Sequence, residues 1–135
     1  MDRLFLDANI LYSAAHRSDA GLLALWRLAE VELITSDYAL VEATRNLPDT
    51  VRKERLDALI DRVTLCADAP ATGALFVRGV DLPEKDWPIL LAAIQCGATH
   101  LLTGDMTHFG PYFNREIEGV LILTPAEYLR SATRG

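Results

Sequence analysis

The stretch Arg3-Leu-Phe-Leu-Asp7-Ala-Asn9 constrains this chain more than any other. Leu4, Phe5 and Leu6 form an apolar run too short for a helix, as a strand covered on both faces of a parallel sheet reads. The run stops at Asp7, and Ile10-Leu11-Tyr12 then begins a helical pattern. Asp7 is therefore expected at the carboxyl end of a central strand, where open α/β sheets place their ligands. Taken singly, Asp7 or Asn9 is more simply a helix cap, because an Asx side chain accepts a free amide there.

The rest of the chain alternates helix-like and strand-like segments, the signature of an α/β fold with a mostly parallel sheet. A short helix is expected to about Ala15. A second follows over Gly21 to Glu30, with Leu22, Leu25, Trp26 and Ala29 at helical spacing and Ser18 or Asp19 as cap. A strand over Val31 to Thr35 leads into a helix, Tyr38 to Asn46, opened by Ser36 or Asp37. A charged helix over Val51 to Arg62, capped by Asp49 or Thr50, precedes a strand over Val63 to Ala67. Residues 68–81 are the least readable, with a short helix around 72–77. Trp87 to Ile94 is apolar almost all round, so it reads as a buried helix with proline in its first turn and Gly97 at its end. Strands are expected over Thr99 to Thr103 and Gly119 to Leu123, and a last helix over Ala126 to Ala132. Thr124 and Glu127 form its capping box.

With 135 residues, half of them hydrophobic, residues 1–135 are expected to form one globular domain. No apolar stretch reaches the roughly 18–20 residues that span a bilayer, so no membrane partner is expected. The chain opens as a strand, without a basic region before an apolar segment, so no signal peptide is read. Cys66 and Cys96 are isolated and lack metal-ligand spacing, which fits reduced thiols in a cytoplasmic protein. The net charge of −6 argues against a broad basic nucleic-acid face. It is compatible with a nuclease whose metal ions carry the positive charge at the point of contact.

Four acids stand at comparable places. Asp7 and Asp105 each follow a strand, Asp86 heads the buried helix, and Glu42 lies little more than one turn into the helix after the second strand. Each has a plainer role as cap, ion-pair partner or solvated side chain. In a right-handed parallel sheet, however, all four positions fall on the carboxyl side and can meet in one crevice. Four ionised carboxylates there stay ionised only when cations neutralise them. An oxygen-only ligand set favours Mg²⁺ or Mn²⁺, and no Cys/His set for zinc is present. A water-retaining ion of this kind suits phosphodiester hydrolysis, polarising the phosphoryl oxygen and activating a water.

At this point the sequence resembles a known family. Phe5-Leu-Asp7-Ala-Asn9, Val41-Glu42-Ala43-Thr44, Asp86-Trp-Pro-Ile-Leu-Leu-Ala-Ala93 and Leu102-Thr-Gly-Asp105 are similar to the acidic motifs of PIN domains, in order and at typical spacing. The resemblance covers nearly the whole chain. It implies a three-layer α/β/α fold on a parallel five-stranded sheet of order 3-2-1-4-5, with Mg²⁺- or Mn²⁺-dependent ribonuclease activity. By that correspondence Asp7, Glu42, Asp86 and Asp105 form the acidic site, with Asp7, Asp86 and Asp105 as metal ligands. The VapC-like branch further implies a toxin of a type II toxin–antitoxin pair, RNA as substrate, a cognate antitoxin and a homodimer. Many relatives carry another acid three residues after the last Asp, where this chain has His108. That histidine can contact a phosphate or assist proton transfer, or simply lie on the surface beside Phe109. Asn9 and Thr103 can bond a metal water or a phosphate. Arg45 and Asn46 can help to position RNA.

Two other readings compete. The same fold can keep its acids as caps and serve as a catalytically silent dimerisation or binding module. A phosphohydrolase or receiver-like domain also sets Asp residues at strand ends, but it needs a phosphate-binding Lys or Thr. Lys53 and Lys85 are the only lysines, and neither follows a strand.

Overall fold

Asp2–Leu6 forms the first strand, β1, and Leu4, Phe5 and Leu6 are fully buried in succession. Consecutive side chains point to opposite faces of a sheet, so burial of all three means that both faces are covered. Full burial of each such side chain is worth about 1.5–3 kcal/mol. β2 (Val31–Ser36) shows the same continuous burial from Leu33 onward. The computed structural model describes residues 1–17, 20–67 and 77–133. The caps expected at Ser18 and Asp19, and nearly all of the short helix expected around 72–77, lie outside the described residues.

After β1 come α1 (Ala8–His16), α2 (Ala20–Leu23) and β2. α3 (Asp37–Asn46), α4 (Thr50–Ile60) and β3 (Thr64–Cys66) follow, then α5 (Trp87–Gln95) and β4 (His100–Leu102). The hairpin β5 (Glu116–Ile117) and β6 (Val120–Leu123) leads into α6 (Pro125–Thr133). Helices cover both faces of the sheet in a three-layer α/β/α arrangement. The described strands form one sheet of order β3-β2-β1-β4-β6-β5, with β5 antiparallel and the other five parallel.

The parallel part keeps the expected order, but the sheet has six strands and not five. The added strand, β5, pairs back onto β6 through Glu118 and Gly119, with φ of 49° and 86°. Two positive φ angles in succession make the type of two-residue turn that matches strand twist. Glu-Gly is a weak sequence signal for it, since the first position prefers Asn or Asp. The helix expected to reach Glu30 is also shorter. It is α2, then a 3₁₀ turn over Ala24–Arg27, and Leu28 is already extended. Leu22, Leu25 and Trp26 fit i→i+3 winding as well as α winding. Trp26 is core and donates its indole N–H to the Leu59 carbonyl at 3.1 Å, tying this turn to α4. No described helix is long and apolar enough to cross a membrane.

Two helix ends bear on the site. At the start of α1, Asp7 is the cap, its carboxylate accepting from the Ala8 N–H at 2.6 Å. At the far end of α5, Gly97 turns the chain with φ of 72°. The Gly97 N–H reaches the Ile94 carbonyl at 3.2 Å and the Ala98 N–H reaches Ala93 at 3.0 Å, closing the helix in a Schellman motif. The Arg3 guanidinium donates to the Cys96 carbonyl at the same place and pairs with Glu32 at 3.1 Å.

Candidate metal centre

The carboxyl ends of β1 and β4 are stitched side by side. The Asp7 N–H donates to the Leu102 carbonyl at 3.1 Å, and the Thr103 N–H to Leu123 at 3.1 Å. Asp7 and the residues after β4 therefore open onto the same end of the sheet. α5, running antiparallel to the strands, begins there and brings Asp86. α3 begins at the end of β2 and brings Glu42 within its second turn. An open cleft of about 830 Å³ is lined by Asp7, Asn9, Glu42, Asn46, Asp86 and Asp105 among others. Arg45 is exposed and lines a neighbouring shallow groove with Asp37, Tyr38, Val41 and Glu42, not the cleft itself.

Asp7 is held most tightly. Its second oxygen accepts from the Thr103 hydroxyl at 2.8 Å and the Asn9 amide at 3.0 Å. Thr103 is completely buried, and its oxygen also accepts from the Asp105 N–H at 3.1 Å. Asn9 returns its carbonyl oxygen to the Gly104 N–H at 2.9 Å. One polar knot thus joins both strand ends. Burial pushes the Asp7 carboxyl up to about 6, against the pull of its Thr103 and Ala8 hydrogen bonds, and the charges of Asp86 and Glu42 push the same way. Replacing the hydroxyl, Thr103→Val, leaves shape nearly unchanged and removes one of these donors. We expect a loss of about 1–3 kcal/mol in urea unfolding, larger above pH 6, where Asp7 is ionised, than at pH 4.5.

Asp105 is arranged differently. One oxygen accepts from the Thr107 and His108 N–H groups at 3.2 and 3.0 Å, so the chain folds round it. The other faces His108 Nδ1 at 2.9 Å, and Asp86 Oδ2 faces the same nitrogen at 2.7 Å. These separations are short, yet Asp86 Oδ2 and His108 Nδ1 are buried without an aligned hydrogen-bond partner. Burial raises the Asp86 carboxyl above its usual range. The attraction of His108 opposes that shift and the charge of Asp105 adds to it.

Among the described residues, the donor atoms of Asp86, Asp105 and His108 gather within 4.8 Å of one another. Asp7 lies outside this group; its oxygens accept from Ala8, Thr103 and Asn9. The ligand set implied by the family resemblance and the set gathered by the fold therefore differ at one residue. Two carboxylate oxygens gathered round one imidazole nitrogen are a donor set that fits a divalent ion.

Two residues, one in the cleft and one beside it, escape a sequence reading. Lys85 lines the cleft and its charge favours the ionised form of Asp86; adjacency to Asp86 is its only signal. Tyr38 donates its hydroxyl to the Lys85 carbonyl at 2.8 Å, which ties the start of α3 to the turn that carries Asp86. Nothing local in the sequence announces that bond.

Two solved structures share this fold. The crystal structure of VapBC2 from Rickettsia felis, bound to a DNA fragment from their promoter, matches with a TM-score of 0.67 at 18% identity. It covers 90% of this chain and 98% of that one. The crystal structure of FitAcB from Neisseria gonorrhoeae matches with a TM-score of 0.57 at 17% identity, over 91% of this chain and 98% of that one. At such identity the likeness is one of fold. No protein-family model and no curated protein matches the sequence.

Proposed function

We propose that this protein is a PIN-type, metal-dependent endoribonuclease that hydrolyses RNA phosphodiester bonds, and that it is the toxin of a toxin–antitoxin pair. The observation that carries the reading is the cleft itself: Asp7, Glu42, Asp86 and Asp105, distant in sequence, line one cavity. The acidic motifs that resemble VapC-like PIN domains, and the fold shared with VapBC2 and FitAcB, support it from two other directions.

In this reading Asp86 and Asp105 would hold the ion, with Asp7 and Glu42 completing the acidic wall. Such an ion supplies Lewis-acid polarisation of a phosphoryl oxygen and a water acidic enough to attack. The chain's own residues do the positioning. Thr103 and Asn9 fix Asp7, the folded loop after Asp105 aims one oxygen into the cleft, and Lys85 and Asn46 stand where a phosphodiester backbone enters. In this reading water is the nucleophile at phosphorus, and the ribose 2′-hydroxyl takes no part. The partners that follow are RNA, a cognate antitoxin and a second copy of the chain, in the cytoplasm.

The test is incubation of the purified chain with single-stranded RNA and Mg²⁺ or Mn²⁺, with and without chelator. Cleavage is expected only with metal, and the products are expected to lack a 2′,3′-cyclic phosphate. Chelator-resistant cleavage, or cyclic ends, would overturn the mechanism. A folded chain that binds no divalent ion would favour the silent binding module.

A further inference from the structure

We propose that His108 is an inner-sphere metal ligand through Nδ1, and that it makes this cleft select a first-row transition ion, Mn²⁺ foremost, over Mg²⁺. The inference rests on the cleft being a divalent-cation site and adds one ligand and a metal preference to it.

Three observations carry it. First, spacing: donors on adjacent corners of an octahedron with bonds of 2.0–2.1 Å lie roughly 3 Å apart. His108 Nδ1 stands 2.7 Å from Asp86 Oδ2 and 2.9 Å from Asp105 Oδ2, so the ring nitrogen has the separation of a ligand from both carboxylates. Second, alignment: the Asp86 and His108 atoms are buried and neither makes a directed hydrogen bond. A histidine serving only to pair with an acid would point a proton along a lone pair. Third, placement: the His108 backbone N–H is fastened to Asp105 Oδ1 at 3.0 Å, and Asp86 is nine-tenths buried. The ring is carried by the same turn that aims Asp105, and it does not reach the site as a free surface side chain.

The chemistry then sets the preference. Mg²⁺ takes oxygen ligands almost exclusively, whereas imidazole nitrogen gains in affinity along the first-row series. Exchanging an acid for a neutral imidazole also removes one negative charge, which weakens a hard ion held mainly by charge. Mn²⁺ accepts both carboxylate oxygen and nitrogen while keeping octahedral geometry and waters.

Electron spin-echo spectroscopy of Mn²⁺ bound to the full-length chain decides the matter without an activity assay. Imidazole ¹⁴N modulation is expected in the wild type and is expected to vanish in His108→Asp. Mg²⁺ competition, read by reappearance of the free Mn²⁺ signal, should need a Mg²⁺ excess about 10–100-fold larger in the wild type than in that variant. Bound Mn²⁺ without nitrogen modulation would sink the role of His108 and leave the acidic site intact. Modulation that persists in His108→Asp would assign the nitrogen to His16 or His100 and also sink it. Failure of the wild type to bind Mn²⁺ would remove the cation site altogether. If His108→Asp does not fold, the wild-type spectrum alone still distinguishes nitrogen from all-oxygen ligation.

Discussion

Asp86→Asn is expected to lower metal-dependent RNA cleavage by about 10²–10³-fold, the scale of losing several kcal/mol of charge stabilisation at the reacting phosphate. The residue sits where the 3₁₀ turn over Glu84–Asp86 meets α5, and its Oδ2 faces His108 Nδ1 at 2.7 Å without an aligned hydrogen bond. The amide keeps the shape but offers a neutral oxygen and an N–H₂ group. Calorimetric titration with Mn²⁺ should show weaker binding in parallel with the lost activity. The metal-free variant should unfold at the same urea concentration as the wild type or a higher one, because burial disfavours the charge that the substitution removes. Wild-type metal affinity in Asp86→Asn would take Asp86 out of the site.

The second large effect is one of stability. Burial raises the Asp7 carboxyl from its ordinary 3.8 to about 6. The folded chain therefore holds this proton more tightly than the unfolded chain does. That contribution is fully present below pH 4 and is lost as pH rises through 6. The shift of about two units corresponds to roughly 3 kcal/mol withheld from the metal-free fold above pH 6. Asp7→Asn removes the charge and keeps one oxygen for the Ala8 N–H. It sets an amide against the Asn9 amide, at about 1–2 kcal/mol. The balance is a metal-free variant more stable by about 1–2 kcal/mol at pH 8, with little or no gain at pH 4. Urea midpoints at the two pH values check this, and a variant less stable than the wild type at pH 8 would contradict it. The same variant should lose RNA cleavage, so stability and activity are expected to move in opposite directions, as strained functional sites commonly show.

The sheet and the placement of the acids were legible because both depend on short-range signals. Leu4-Phe5-Leu6 can bury on two faces only in a covered strand, and an acid at the end of such a strand has one side of the sheet to open onto. Ser36, Asp49 and Thr124 cap their helices through bonds to Ala39, Arg52 and Glu127, all within three residues. What stayed hidden depends on contacts between distant segments or on backbone angles. β5 rests on a left-handed Glu118 that no composition rule favours. The turn that replaces half of the second helix is held by Trp26 against a carbonyl 33 residues away. At the site, His108 stands out in the sequence as a replacement for an acid, but its position 2.7 Å from Asp86, 22 positions earlier, does not. The bonds by which Thr103 and Asn9 fix Asp7 likewise join residues at the ends of two strands far apart in the chain.

α5 carries a second implication. Its first residue follows Asp86 directly, and its last turn is fastened by Gly97 and by the guanidinium of Arg3, at the opposite pole of the sheet. Nine residues of helix make a rigid strut of about 13.5 Å between those points. The depth at which Asp86 stands is thus gauged from behind, by a positive side chain on β1 that is not among the residues lining the cleft.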